Sequence, residues 1–151
     1  MTTQEPTCQV VRALDVIGEK WSLLIVRNAL RGQTKFSEFQ AQLGVSSDIL
    51  TARLGTLVAA GIFVKEQYRE PGGRERSCYH LTERGEGLRL VLAAMMQWST
   101  EHNPAPHGGG SKVVDVEGAP LDVAFVDGAG RARAVDEARI VPGPASTWTP
   151  R

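Results

Sequence analysis

From Cys8 to Val58 the apolar residues recur three and four positions apart, which is the spacing of one helix face. Val11, Leu14 and Ile17 mark a first stripe with Val10 beside it, Thr7 is placed to cap it, and Gly18 to end it. Trp21, Leu24, Ile25 and Leu30 mark a second helix that stops at Arg31-Gly32. A short third helix is predicted with Ser37 as its cap, Phe36 before it, and Phe39, Ala41 and Leu43 inside it, up to Gly44. In the fourth, Ser46 or Ser47 is the cap and Asp48 sits in the first turn, where the helix dipole favours a carboxylate. Ile49, Leu50, Leu54, Leu57 and Val58 form its predicted core face, and Gly61 its terminator.

The period then changes. Ile62–Tyr68 is β-branched, aromatic and partly alternating, so it reads as a strand. Arg69–Arg76 (REPGGRER) is a charged turn, and Ser77–Thr82 the returning strand. Thr82 is placed to cap one long helix over residues 83–102, along which Leu88, Val91, Leu92, Met95 and Trp98 share a side. PAPHGGGS, residues 104–111, reads as a flexible linker. Beyond it, VVDV, DVAFV and RARAV are short strand candidates, and DGAG is a hairpin turn.

The expected fold class is therefore mainly α with a small β component (α+β). Four helices, a two-stranded hairpin and a long helix make a winged helix-turn-helix, followed by a small β appendage. The expected division is 1–103 for the winged-helix domain, 104–111 for the linker and 112–151 for the extension.

Composition narrows the function. The 151 residues carry 17 Lys plus Arg and 17 Asp plus Glu, so no global positive field draws the chain to nucleic acid, and any DNA binding must be local. No apolar run reaches membrane-spanning length. The start, MTTQEPTCQVV, lacks the charged and apolar regions of a signal peptide, and two cysteines are too few for a disulfide scaffold, so a cytoplasmic location is expected. There is no Ser-His-Asp set and no phosphate loop, so an enzyme is not expected, and GGGS lies in a linker with no strand before it. Cys78 and His80 lie two residues apart on one strand face, but two ligands do not make a metal site, and neither metal nor cofactor is expected.

On the fourth helix the outward positions are Ser47, Asp48, Thr51, Ala52 and Gly55, with Arg53 to one side. Ser46, Ser47 and Thr51 suit phosphate contacts, and Arg53 suits a phosphate or a guanine. Arg69, Arg74 and Arg76 on the turn suit a phosphate backbone or a minor groove, with Glu70 and Glu75 reducing the local charge. Lys35 and Lys65 are further phosphate candidates.

The segments CQVVRALDVIGEKWSLLIVRNAL, KFSEFQAQL, VSSDILTARLGTLVAAGI and YHLTERGEGL resemble the HxlR-type winged-helix transcriptional regulators of the MarR-like superfamily. The resemblance runs from about Cys8 to Trp98. Its most specific pieces are Ile17-Gly18, Lys20-Trp21, Phe36-Ser37-Glu38, Leu50 with Arg53-Leu54, and Tyr79, Leu81-Thr82 and Gly85. It implies a homodimer that pairs through its terminal helices and binds inverted repeats in double-stranded DNA, with Leu88, Val91, Leu92, Met95 and Trp98 as the dimer seam. It implies a redox-sensing role for Cys8, where a helix N-terminus would favour the thiolate. A small-molecule effector between the terminal helices and the core is a further candidate, with Trp21, Phe39, Met95 and Trp98 as its lining. The chain departs from the family at Asp48, Ala52 and Gly55, where members often carry Lys, Arg or Gln, and its tail has no cysteine for zinc. Those departures favour an alternative, a winged-helix protein-interaction module with weakened DNA binding, whereas Arg53 and the wing arginines favour the regulator. The tail is expected to cover the dimer or an effector pocket.

Overall fold

The computed structural model describes residues 8–144. Contacts group Cys8–Arg89 into one compact unit and place Leu90 onward in a second. In the first, helices α1 (Gln9–Ile17), α2 (Lys20–Leu30), α3 (Phe36–Leu43) and α4 (Ser47–Ala59) precede an antiparallel hairpin of β1 (Phe63–Arg69) and β2 (Glu75–Leu81), and the short α5 (Glu83–Glu86) follows. This is the α+β winged helix-turn-helix that the pattern predicts. Ile25 and Val26 of α2, Phe39 of α3, Leu50, Leu54 and Leu57 of α4, and Ile62 and Phe63 build its core. Phe39 meets Phe63 edge to face, with ring centroids 6.4 Å apart.

Several local expectations change. The Thr7 cap lies outside the described residues; Cys8 itself is the N-cap residue of α1, and its carbonyl accepts from Arg12 N–H at 3.0 Å. Ser37 lies inside α3, and the capping is done by Glu38, whose Oε2 accepts from both Thr34 and Lys35 N–H at 2.9 Å. Ile49 is exposed rather than core, because it sits about 100° round the helix from Leu50. The end of α4 holds as read. Gly61 takes φ +71°, its N–H donates to Val58 O, and Ile62 N–H donates to Leu57 O, which is the Schellman pattern.

Thr82 caps α5, accepting from Gly85 N–H at 3.1 Å, and its hydroxyl also donates to the Gly61 carbonyl at 2.6 Å. The single helix expected over 83–102 divides at Gly87 into α5 and α6 (Leu88–His102). Two glycines within three residues weaken the helix there.

Among the described residues of the second unit the strand pairings are short. Val114 bridges Pro120, and β3 (Phe125–Val126) pairs β4 (Ala132–Arg133). Asp115-Val-Glu-Gly118 and Asp127-Gly-Ala-Gly130 fold alike: each Asp Oδ1 accepts two backbone N–H groups ahead of it, and each closing Gly has positive φ. The two D-x-x-G turns are thus a short local echo in the chain. The tail is tied to α6 by the Gln97 amide, which donates to Val123 O at 3.2 Å and accepts from Val123 N–H at 2.7 Å.

Candidate nucleic-acid interface

In α4 the core residues Leu50, Leu54 and Leu57 hold one face down, so Ser47, Asp48, Thr51, Ala52 and Gly55 stand exposed on the other, with Arg53 half-buried between them. Ser46 is the cap: its Oγ accepts from Ile49 N–H at 3.4 Å, leaving its own proton free to donate. Thr56 is exposed too, but its hydroxyl is engaged with its own helix, donating to Ala52 O at 3.0 Å. Ile49 is 43% exposed and joins this face as an apolar contact of the kind that meets a thymine methyl. In the sequence an isoleucine beside a core leucine reads as core, so Ile49 is not among the predicted contact residues.

The wing is a seven-pair ladder from Phe63↔Leu81 to Arg69↔Glu75. Residues 34 and 35 add an edge to it, through a Lys35↔Cys78 bridge and a Tyr79 N–H bond to Thr34 O at 2.8 Å. The start of the helix-turn-helix is thus hydrogen-bonded to the wing. Lys35 is not a free cation. Its Nζ lies 3.3 Å from Glu70 Oε1 and 5.2 Å from the Tyr68 ring centre, and the bond to Glu70 raises its pKa. A phosphate at Lys35 would have to displace Glu70. Arg69, Arg74 and Arg76 are exposed, and strand alternation sets Arg69 beside Lys65 on one face and Arg76 on the other.

The face with Arg76 holds an unexpected group. Register sets Glu66 opposite Cys78, diagonal to His80, so the two anticipated ligands become three, and their ligand atoms all lie within 4.8 Å of one another. Only tertiary pairing supplies Glu66; no spacing along the chain signals it.

Cys8 is partly exposed at the mouth of α1. Of the residues expected to line an effector pocket, Phe39 is fully buried core, whereas Met95 and Trp98 are exposed. A cleft of about 290 Å³ opens instead beside α1, with Val16, Ile17, Ile62 and Leu88 as apolar wall and Arg12 and Arg84 as polar rim. Along the expected dimer stripe Leu88 and Leu92 are half-buried, and Val91, Met95 and Trp98 are exposed. Leu90, outside that stripe, is 65% exposed as well.

A helix-turn-helix with a free polar face on its second helix, followed by a two-stranded arginine-bearing wing, defines a winged helix-turn-helix protein. The family model for the HxlR-like helix-turn-helix matches residues 16–106, and the chain belongs to that family. It is 39% identical over 99 residues to a relative in Mycobacterium tuberculosis called an uncharacterised HTH-type transcriptional regulator, covering 66% of this chain and 61% of the relative. The chain thus spans less than two thirds of that relative's length. The crystal structure of PA1607, described as a candidate transcription factor, superposes with a TM-score of 0.77 at 35% identity, covering 95% of this chain and 100% of that one. The oxidised form of the redox regulator HypR superposes with a TM-score of 0.57 at 30% identity, over 65% of this chain and 100% of HypR.

Proposed function

We propose that the chain is a transcriptional regulator that binds an inverted-repeat operator in double-stranded DNA as a homodimer, in the cytoplasm. The observation that carries this reading is the exposed pair Ser47 and Thr51 on α4, flanked by Arg53 and backed by the Arg69, Arg74 and Arg76 wing. Ser46, Ser47, Thr51 and the wing arginines meet phosphates, Arg53 meets a phosphate or a base, and Lys35 joins when Glu70 yields it. Residues 1–103 serve DNA binding and dimerisation, 104–111 link, and 112–151 form the extension.

The apolar residues exposed on α6 support pairing through Leu88, Val91, Leu92, Met95 and Trp98. Two switches fit. Cys8 at the N-terminus of α1 is placed for thiol modification, as the likeness to a redox regulator supports. The cleft between Arg12 and Arg84 suits a small effector with an apolar body and an anionic end.

The exposed Asp48 and Gly55 favour the second reading, an interaction module with weak DNA binding, since neither strengthens a groove contact. Fluorescence anisotropy on DNA from upstream of its own gene, against a scrambled duplex at several salt concentrations, separates the two. The regulator prefers the native duplex and loses affinity steeply with salt. Equal, weak binding to both duplexes by a folded dimer overturns it.

A further inference from the structure

The outer face of the wing carries a cluster that DNA contact does not use. Glu66 on β1 and Cys78 and His80 on β2 meet there because the antiparallel register puts 66 opposite 78 and 64 opposite 80, and alternation turns all three side chains to one side. Cys78 is 8% exposed and forms the floor, with the Lys35 edge bridge paired beside it. Glu66 and His80 are exposed and form the rim. His80 Nε2 lies 3.7 Å from Glu66 Oε2, and the Cys78 thiol donates to the Glu66 carbonyl at 3.7 Å.

We propose that Glu66, Cys78 and His80 form a three-ligand site for a borderline-soft divalent ion of the zinc class, with the fourth position open to solvent. A thiolate, an imidazole and a carboxylate make the mixed S, N and O set that such ions take. Bonds of about 2.0–2.3 Å in a tetrahedron put ligand atoms about 3.3–3.7 Å apart. The His80–Glu66 pair, 3.7 Å apart, is within a few tenths of an ångström of the nitrogen–oxygen spacing. Small rotations of two exposed side chains bring the set, now within 4.8 Å, to closure round the thiol. Strand pairing fixes both backbones, so loading orders side chains rather than chain. Lys35 is the cation nearest by register, and its engagement with Glu70 and the Tyr68 ring takes its charge toward the wing tip. Arg76 shares the face, and a bound ion would add to its positive charge. Loading takes the proton from the Cys78 thiol and needs a neutral His80, so it releases protons and weakens on acidification.

The test is titration of the metal-free, full-length chain with Co²⁺. A thiolate-to-cobalt charge-transfer band with the visible bands of a four-coordinate ion, saturating at one ion per chain and displaced by Zn²⁺, is the expected result. His80→Asn and Glu66→Gln change exposed side chains and should leave thermal unfolding intact. Each should weaken Co²⁺ binding by at least about tenfold, the size already seen when only an outer-shell partner is lost. Cys78→Ser should abolish the charge-transfer band, and Cys8→Ser should leave it unchanged. Absence of the band overturns the site. So does a band that survives Cys78→Ser, or one that depends on Cys8. Because the readout needs no DNA, its failure leaves the operator-binding reading standing, and the reverse is also true.

Discussion

The Gln97 side chain pairs with the Val123 backbone in both directions, accepting its N–H and donating to its C=O. An amide on a helix thereby does what a neighbouring strand would do, satisfying a segment that has no strand partner of its own. Gln97→Ala leaves both Val123 groups without that partner, at a cost of about 1–3 kcal/mol felt locally. Hydrogen exchange at the Val123 amide should speed up strongly while protection in α2 and α4 stays unchanged. Unaltered exchange at Val123 would show that the tail is held by something else.

Two glycines predict opposite responses to alanine. A Cβ on Gly55 meets nothing within 4 Å, so Gly55→Ala should stabilise the chain by about 1 kcal/mol through helix propensity. A Cβ on Gly85 would lie 2.3 Å from Ile62 O and 2.8 Å from Leu81 Cδ2, so Gly85→Ala should destabilise by about 1–3 kcal/mol. Urea unfolding of both variants checks the sign of each.

The arginines divide by role. Arg53→Ala should cost about 1–3 kcal/mol on the preferred duplex and relax its selectivity if Arg53 reads a base. Arg74→Ala should weaken all duplexes alike and lower the salt slope by about one. Anisotropy with native and scrambled duplexes separates these patterns. A loss at Arg53 that is equal on both duplexes would reassign it to phosphate.

Glu38 gives the fold a pH dependence. Bonds from the Lys35 and then the Thr34 N–H hold its carboxyl below the ordinary glutamate range. Its contribution is complete above the unfolded value and fades as pH falls through the lower folded one. Glu38→Gln should therefore flatten the acid side of the stability profile, and Glu38→Ala should cost about 1 kcal/mol at neutral pH. Melting temperatures from neutral to acid pH test this; parallel profiles for wild type and Glu38→Gln would refute it.

Trp98→Asp adds a charge to an α6 site that is 61% exposed, so the isolated subunit should tolerate it. If the proposed pairing through α6 holds, sedimentation velocity should show a dimer for the wild-type chain and a monomer for the variant. A dimer that persists would move the seam off α6.

The helices and wing were legible because their apolar period survives in each segment: Leu50, Leu54 and Leu57 repeat at four and three residues, and all are buried. Ile49 was misread because the stripe is narrower than a run of apolar letters suggests. Ser37 looked like the cap of α3, but a carboxylate one residue on can reach two backbone donors, and it took the role. The candidate interface was legible as far as exposure follows from the helical period. What stayed hidden depends on pairing between segments: the Lys35 edge of the wing, its salt bridge to Glu70, and Glu66 facing Cys78. A chain read one segment at a time carries no register.

The Thr82 hydroxyl bonds to the Gly61 carbonyl, one residue past the cap of α4, and accepts from Gly85 N–H in α5. One atom thus clamps the trailing end of the candidate recognition helix to the first turn of the helices that follow. With a backbone contact at Gly85 too tight for any side chain, that joint has little play. A twist imposed on α5 would therefore bear directly on the trailing end of α4, through one hydroxyl and with no intervening loop.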